Sequence, residues 1–304
     1  MKKVILDCDN SMGLEKKDVD DGLAFLFLLG REDIDLMAVT SVFGNSNLED
    51  TFNTTEKMLN DFKLKDKIKH LKGAAKAGDY KTEAADYLVK AASENKNEIT
   101  LIAIGPLTNL YAAWEIDNDF FKNLKEIIIM GGITEPLQIG NKTIDELNLS
   151  SDPKAAEKVL KAEVPVALMS SNLCLAARFG EKSWRRVNRS KNKAVRAYIK
   201  HKINHWYQYS SEMIGLTGFY MWDVVAVVYM IAPEIFPYNK RKFISSVEDL
   251  KNGMIKTEKA EGMLQDEAVI NLPSTILDTK RFKDLVFSAW DKIEIEPESY
   301  KDAE

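Results

Sequence analysis

The sequence predicts an α/β fold: an open, mostly parallel sheet with helices on both faces. Three observations carry that expectation. Short apolar runs rich in Val and Ile recur along the chain, and each ends in Asp, Asn, Ser or Gly. Segments with helical spacing lie between the runs. The chain has 304 residues, 45% of them hydrophobic, which is enough to bury a large core. Runs that are apolar throughout, rather than alternating, mark strands covered on both sides.

The runs can be taken in order. Val4-Ile5-Leu6 ends at Asp7, and residues 36–43 end at Gly44-Asn45. Residues 99–104 end at Gly105-Pro106, and 127–130 at Gly131-Gly132. Residues 164–169 end at Ser170-Ser171-Asn172. Open parallel sheets bind ligands beyond the carboxyl ends of their strands. These polar ends, scattered in sequence, are therefore expected to face one crevice.

The helices follow the same logic. Residues 22–29 form an apolar stretch opened by Asp20 and Asp21, acids that favour a helix N-terminus. Residues 48–62 have near-helical spacing. Residues 108–115 follow Gly105-Pro106, and 154–161 start behind Asp152-Pro153, with Pro in the first turn. Residues 182–206 read as basic, polar helix, and 224–231 as an apolar helix ending before Pro233. Residues 236–267 suggest strands, and 282–290 a closing helix. With no internal repeat, low-complexity segment or linker, residues 1–304 are expected to form a single domain.

Bulk properties narrow the function. The net charge is -5 and no long basic tract is present, so nucleic acid is not an expected partner. Cys8 and Cys174 form no C-x-x-C pair and read as small buried hydrophobes. The apolar stretch in MKKVILDCDN is too short for a signal peptide. No run reaches membrane-spanning length, so a cytoplasmic location is expected.

The chemistry concentrates in three places. The first is D-C-D-N at residues 7–10, with Asp18, Asp20 and Asp21 downstream. Clustered carboxylates repel one another, and a hard cation relieves that cost. Asp18 by itself reads as a solvated acid or a cap. A strand followed by D-x-D also suits a haloacid-dehalogenase-type phosphatase, with Asp7 as nucleophile and Asp9 as general acid. The second place is Trp222-Asp223 before the apolar helix; alone, these could be a core Trp and an N-cap. The third is Gly140-Asn141 with Glu146-Leu147-Asn148, whose acceptors and donors suit vicinal hydroxyls.

Taken together, the strings ILDCD, DVDDGLAF, VTSVFGN, IAIGPLTNL, EIIIMGG, GNKTIDELN with SDPKAA, and MWDVVAV resemble the inosine–uridine nucleoside hydrolase family along most of the chain. The resemblance implies one α/β domain with a Rossmann-like core, a tightly bound Ca²⁺, and hydrolysis of nucleosides to ribose and free base. By that resemblance Asp9 is a Ca²⁺ ligand and the general base. Asp21 and Asp223 are further ligands, Ile104 offers its backbone carbonyl, and Asp7 is a supporting metal ligand or a group just behind the ligands. Asp20 takes ribose hydroxyls. Asn45, Asn141, Glu146 and Asn148 match positions near the metal or the ribose.

Trp222 stands where many pyrimidine-tolerant members have His. In this it resembles the purine-preferring members, in which Trp stacks on the base. Tyr80, Tyr209 or Tyr220 could supply a second aromatic wall, and His201 and His205 read as surface residues. The resemblance also implies a homodimer or homotetramer acting on a small-molecule nucleoside. A nucleoside-binding protein without catalysis is the remaining reading; the full set of acids argues against it, because buried carboxylates without a role are costly.

Two departures from the family pattern stand out. The family reads D-x-D-x-x-x-D-D, whereas here NSMGLEKKDV separates Asp9 from Asp20. That segment is expected to form a surface bulge over the metal. The stretch between Asn141 and Glu146 is also one residue shorter than usual, which weakens the expected ribose contact of Asn141.

Overall fold

The computed structural model describes residues 1–215, 217–260 and 268–294. Its strands are β1 (Lys2–Cys8), β2 (Ile34–Ser41), β3 (Lys69–Lys72), β4 (Ile99–Ala103), β5 (Glu126–Met130), β6 (Gln138–Ile139), β7 (Lys142–Thr143), β8 (Val166–Met169), β9 (Arg178–Phe179), β10 (Phe219–Tyr220), β11 (Lys240–Phe243), β12 (Thr257–Lys259) and β13 (Val269–Asn271). Its α-helices are α1 (Asp20–Leu29), α2 (Leu48–Asp61), α3 (Glu83–Glu94), α4 (Thr108–Ile116), α5 (Pro153–Leu160), α6 (Ser171–Cys174), α7 (Glu181–Asn188), α8 (Lys193–Ile214), α9 (Trp222–Ile231), α10 (Val247–Leu250) and α11 (Thr279–Asp291).

Nine strands form one sheet in the order β12-β11-β13-β8-β5-β4-β1-β2-β3. From β13 to β3 every neighbouring pair is parallel; β11 and β12 are the antiparallel exception. The expected open, mostly parallel sheet is therefore present. The chain winds outward from β1 in both directions, to β2 and β3 on one side and to β4, β5 and β8 on the other. The switch point lies between β1 and β4, where such sheets open a crevice.

The pleat of β1 divides the core. Val4, Leu6 and Cys8 belong to one apolar layer, with residues of α1, α8, α9 and α11. Ile5 belongs to the other, with residues of α3, α4 and α5. Asp7 shares the face of Ile5, since alternate residues point the same way. Cys8 and Cys174 are buried free thiols.

Several elements differ from the sequence reading. The edge strand β3 has the sequence KHLK, too polar and short to read as a strand, yet it pairs with β2. Helix α3 is opened by a Thr82 cap that accepts from the Ala85 N–H. The stretch 182–206 is not one helix. It divides between α7 and α8, the second opened by Asn192, whose side chain accepts from the Val195 N–H at 3.1 Å. Strands do appear after residue 236, with α10 between them, but residues 261–267 of that stretch lie outside the described residues.

Candidate active site

The helices α1 and α9 pack against each other and present their N-termini to the same point, above the end of β1. Both open with acids: Asp20 and Asp21 in α1, Asp223 in α9. The unpaired N–H groups and the positive end of the dipole favour negative charge there. The contact is direct, for the Asp223 N–H donates to Asp20 Oδ2 at 3.0 Å. The Asp9 N–H donates to Asp21 Oδ1 at 3.1 Å, which ties the end of β1 to the start of α1. Asp9 itself accepts from the Asn45 N–H at Oδ2, 2.5 Å away.

These acids are deeply buried: Asp9 is 1% exposed, Asp20 2%, Asp21 1% and Asp223 4%. Burial pushes Asp9 up to about 7, aided by repulsion from Asp20. Burial also raises Asp20, Asp21 and Asp223, and repulsion between neighbours adds to the rise for Asp21 and Asp223. So many carboxylates cannot all stay ionised together without a compensating cation.

The donor set fits a hard divalent cation. Oxygens of Asp20, Asp21 and Asp223 lie within 4.8 Å of one another. Asp21 Oδ2 is buried with no hydrogen-bond partner. Ile104 lines the same cavity, and its carbonyl accepts one bond from Asn148 Nδ2 at 3.0 Å, so a lone pair remains. Oxygen-only donors of this kind are what Ca²⁺ and Mg²⁺ prefer. Asp20, expected at the ribose, thus also stands beside Asp21 and Asp223.

A cavity of about 170 Å³ opens above this cluster. Asp9, Asp20, Asp223, Asn45, Ile104, Glu146, Asn148 and Trp222 all line it. Their convergence comes from strands β1, β2, β4 and β5 ending side by side. Glu146 is held by backbone donors: Oε1 accepts from the Gly132 and Leu149 N–H groups at 3.0 and 2.9 Å, and Oε2 from that of Ser150 at 2.8 Å. Asn148 Nδ2 bridges the Ile104 and Met130 carbonyls, both at 3.0 Å, leaving its carbonyl oxygen for a ligand.

Asp7, expected as a supporting metal ligand, is neither among the residues lining the cavity nor in the group of Asp20, Asp21 and Asp223 oxygens. It is fully buried on the α4 side, where Oδ2 accepts from Thr40 Oγ1 at 2.5 Å and Asn109 Nδ2 at 2.7 Å. Burial pushes it up to about 7. A nucleophile for phosphoryl transfer must meet its substrate, so this placement removes the phosphatase reading. Asn109 was present in the IAIGPLTNL string without an assigned role, and its function is to hold Asp7 from behind.

Three other expected residues lie away from the cavity. Asn141 is exposed in the turn joining β6 and β7. Tyr80 packs against Tyr111, ring centroids 4.7 Å apart, beneath the Lys154 ammonium. Tyr209 lies on α8 against Trp206, at 5.7 Å. Tyr220, in contrast, leans on Trp222 itself at 5.0 Å. His201 and His205 are exposed on α8. Ser171, at the end of β8, lines the cavity as its place at a strand end predicts; Asp145, which had no assigned role, and Asp18, which read as a solvated acid or a cap, line it too.

Gly44 shows how tightly the site is built. Its φ is +152°, and a Cβ there would stand 2.1 Å from Asp9 Oδ2. Gly44→Ala is therefore expected to displace Asp9 and to lower turnover at least about 100-fold, the scale of losing a positioned acid–base group. Steady-state kinetics beside a melting curve would check this, and unchanged turnover would refute it.

The chain is similar to several known proteins in sequence and fold. Uridine nucleosidase 1 of Arabidopsis thaliana is 24% identical over 267 residues, covering 79% of this chain and 76% of its own. A plant nucleoside hydrolase structure superposes with a TM-score of 0.82 at 23% identity, covering 95% of this chain and 99% of its own. A purine-preferring ribonucleoside hydrolase from Gardnerella vaginalis superposes at 0.81 with 19% identity, covering 96% and 99%. The sequence pattern of the inosine-uridine preferring nucleoside hydrolases matches residues 4–284, and the chain belongs to that family.

Proposed function

We propose that this protein hydrolyses the N-glycosidic bond of ribonucleosides, with a preference for purines, and releases ribose and the free base. The observation that carries this reading is the cavity itself. It places Asp9, Asp20, Asp223 and Asn148 around one space and the Trp222 ring at its wall.

Asp9, Asp21, Asp223 and the Ile104 carbonyl would hold a Ca²⁺. Bound there, the cation would keep these acids ionised and polarise an attacking water. Asp9 accepts the proton of that water, since its carboxylate keeps lone pairs beyond the Asn45 bond. Asp20 and Asn148 bind and orient the sugar hydroxyls. As the bond to the base breaks, positive charge builds on the ribose, and the surrounding carboxylates stabilise it.

The base leaves with the electron pair and needs stabilising. Among the described residues that line the cavity there is no Lys, Arg or His. A proton drawn from solvent would balance that electron pair, and the Trp222 ring face favours the protonated base, because an electron-rich face attracts added positive charge. This supports the purine preference, since a purine offers the larger stacking surface. The relatives named above include both a uridine nucleosidase and a purine-preferring hydrolase, so the preference has to come from this chain's own residues.

The test is a nucleoside panel assayed for free ribose. Inosine is expected to exceed uridine in kcat/KM by about tenfold or more, and Trp222→Ala to narrow that gap. Uridine and cytidine turned over as efficiently as inosine would sink the purine preference. No ribose from any nucleoside would sink the activity.

A further inference from the structure

The segment NSMGLEKKDV, which separates Asp9 from Asp20, is only partly the surface bulge expected of it. Gly13, Glu15 and Lys16 are exposed at its tip, but both stems are built into the protein. Asn10 Oδ1 accepts from the Met12 N–H at 3.0 Å, and Asn10 Nδ2 donates to Thr55 Oγ1 at 3.2 Å. Met12 is buried over Gly22, where a Cβ would lie 2.3 Å from its sulfur. On the far stem, Lys17 Nζ donates to the Asn45 carbonyl at 2.6 Å. Asn45 is the residue whose N–H binds Asp9. The insertion is thus fastened to the wall of the active site.

This fastening delivers Asp18 to the cavity. Asp18 lines it together with Asp9, Asp20, Asn45 and Trp222. The Val19 N–H donates to Asp18 Oδ1 at 2.7 Å and fixes the orientation of the carboxyl group. Asp18 stands near Asp20, whose charge, together with burial, pushes the Asp18 carboxyl up. Asp18 lies outside the group of oxygens of Asp20, Asp21 and Asp223 that come within 4.8 Å of one another.

Two carboxyl groups side by side can accept two hydrogen bonds from one ligand. Phosphate is repelled by them. A pair of adjacent hydroxyls is the matching partner, because each O–H can meet one carboxyl oxygen. We propose that Asp18 is a substrate-contacting residue that, beside Asp20, accepts a hydrogen bond from the ribose cis-diol and sets the demand for ribose over deoxyribose. This rests on the nucleosidase reading above and adds to it a residue supplied by the insertion.

The test compares kcat/KM for inosine, 2′-deoxyinosine and 3′-deoxyinosine in wild type, Asp18→Ala and Asp18→Asn, with Glu15→Gln as a control at the exposed tip. A hydrogen bond to a charged group predicts that Asp18→Ala loses about 10–100-fold on inosine. On the analogue lacking the contacted hydroxyl it should lose no more than about twofold, so the preference for ribose falls by the same factor. Asp18→Asn, which keeps the shape and one acceptor, should show the same sugar pattern with a smaller loss, and Glu15→Gln no change. Equal losses on all three sugars, or no loss on inosine, overturn the proposal even where wild type is fully active. A wild type inactive on every nucleoside overturns the nucleosidase reading and this one with it.

Discussion

Asp9→Asn is expected to lower kcat for ribose release by about 10²–10⁴-fold, the range lost when a positioned general base is removed. The substitution is nearly isosteric. Its amide oxygen can still accept from the Asn45 N–H, the bond that Asp9 Oδ2 makes at 2.5 Å, so the loop should stay in place. What disappears is the capacity to take the water's proton. The fold should not suffer, because Asp9 is raised to about 7 by burial and by repulsion from Asp20, and a neutral group relieves both. Thermal melting of the metal-free variant should therefore be no lower than that of wild type. A variant of wild-type kcat would remove Asp9 from its assigned role.

Chelation is the second large effect. Treatment with EGTA or EDTA is expected to abolish ribose release and to lower the melting temperature, and added Ca²⁺ to restore both. The physical reason is the crowding of Asp9, Asp20, Asp21 and Asp223, all at or below 4% exposed, around the unpartnered Asp21 Oδ2. A cation present at 100 times its dissociation constant stabilises the folded state by about 2.7 kcal/mol. For a chain of this size that corresponds to a shift of roughly 4 °C. Activity and melting that ignore both chelator and Ca²⁺ would show that these acids hold no functional cation. Asp21→Ala gives a check free of chelator: it removes the unpartnered oxygen and should abolish the Ca²⁺-dependent shift.

Much of the fold was legible along the chain, because a strand buried on both faces must be apolar throughout. Residues of β1, β4, β5 and β8 met that demand, and the structure puts them at the centre of the sheet. Strand β3 escaped notice because an edge strand has one neighbour and tolerates KHLK. The break between α7 and α8 escaped because Asn192 reads as one more polar residue until its side chain is seen capping Val195.

The site was legible in a different way. Asp9, Asp20, Asn45, Ile104, Glu146, Asn148, Trp222 and Asp223 were found through the motifs they belong to, and the cavity gathers them. Asn141 belongs to a motif too, but the stretch between it and Glu146 is one residue short and leaves it exposed in the β6–β7 turn; Tyr80 and Tyr209 rested on residue type alone, which does not dictate where a side chain ends. Asp18 was passed over for the opposite reason. One acid in a charged, inserted segment looks solvated, and nothing local reveals that Lys17 and Met12 pin that segment to the site.

By itself, then, the sequence determined the parallel sheet and the presence of acids at the ends of its strands and helices, since periodicity and helix-start chemistry are local properties. The tertiary structure alone decided which acids meet. Asp20 and Asp223 are 203 residues apart, and only the packing of α1 against α9 joins them. It also decided that Asp7 faces α4 and that Asp18 faces the cavity. The pleat of one strand turns the first away, and the anchoring of one loop brings the second in.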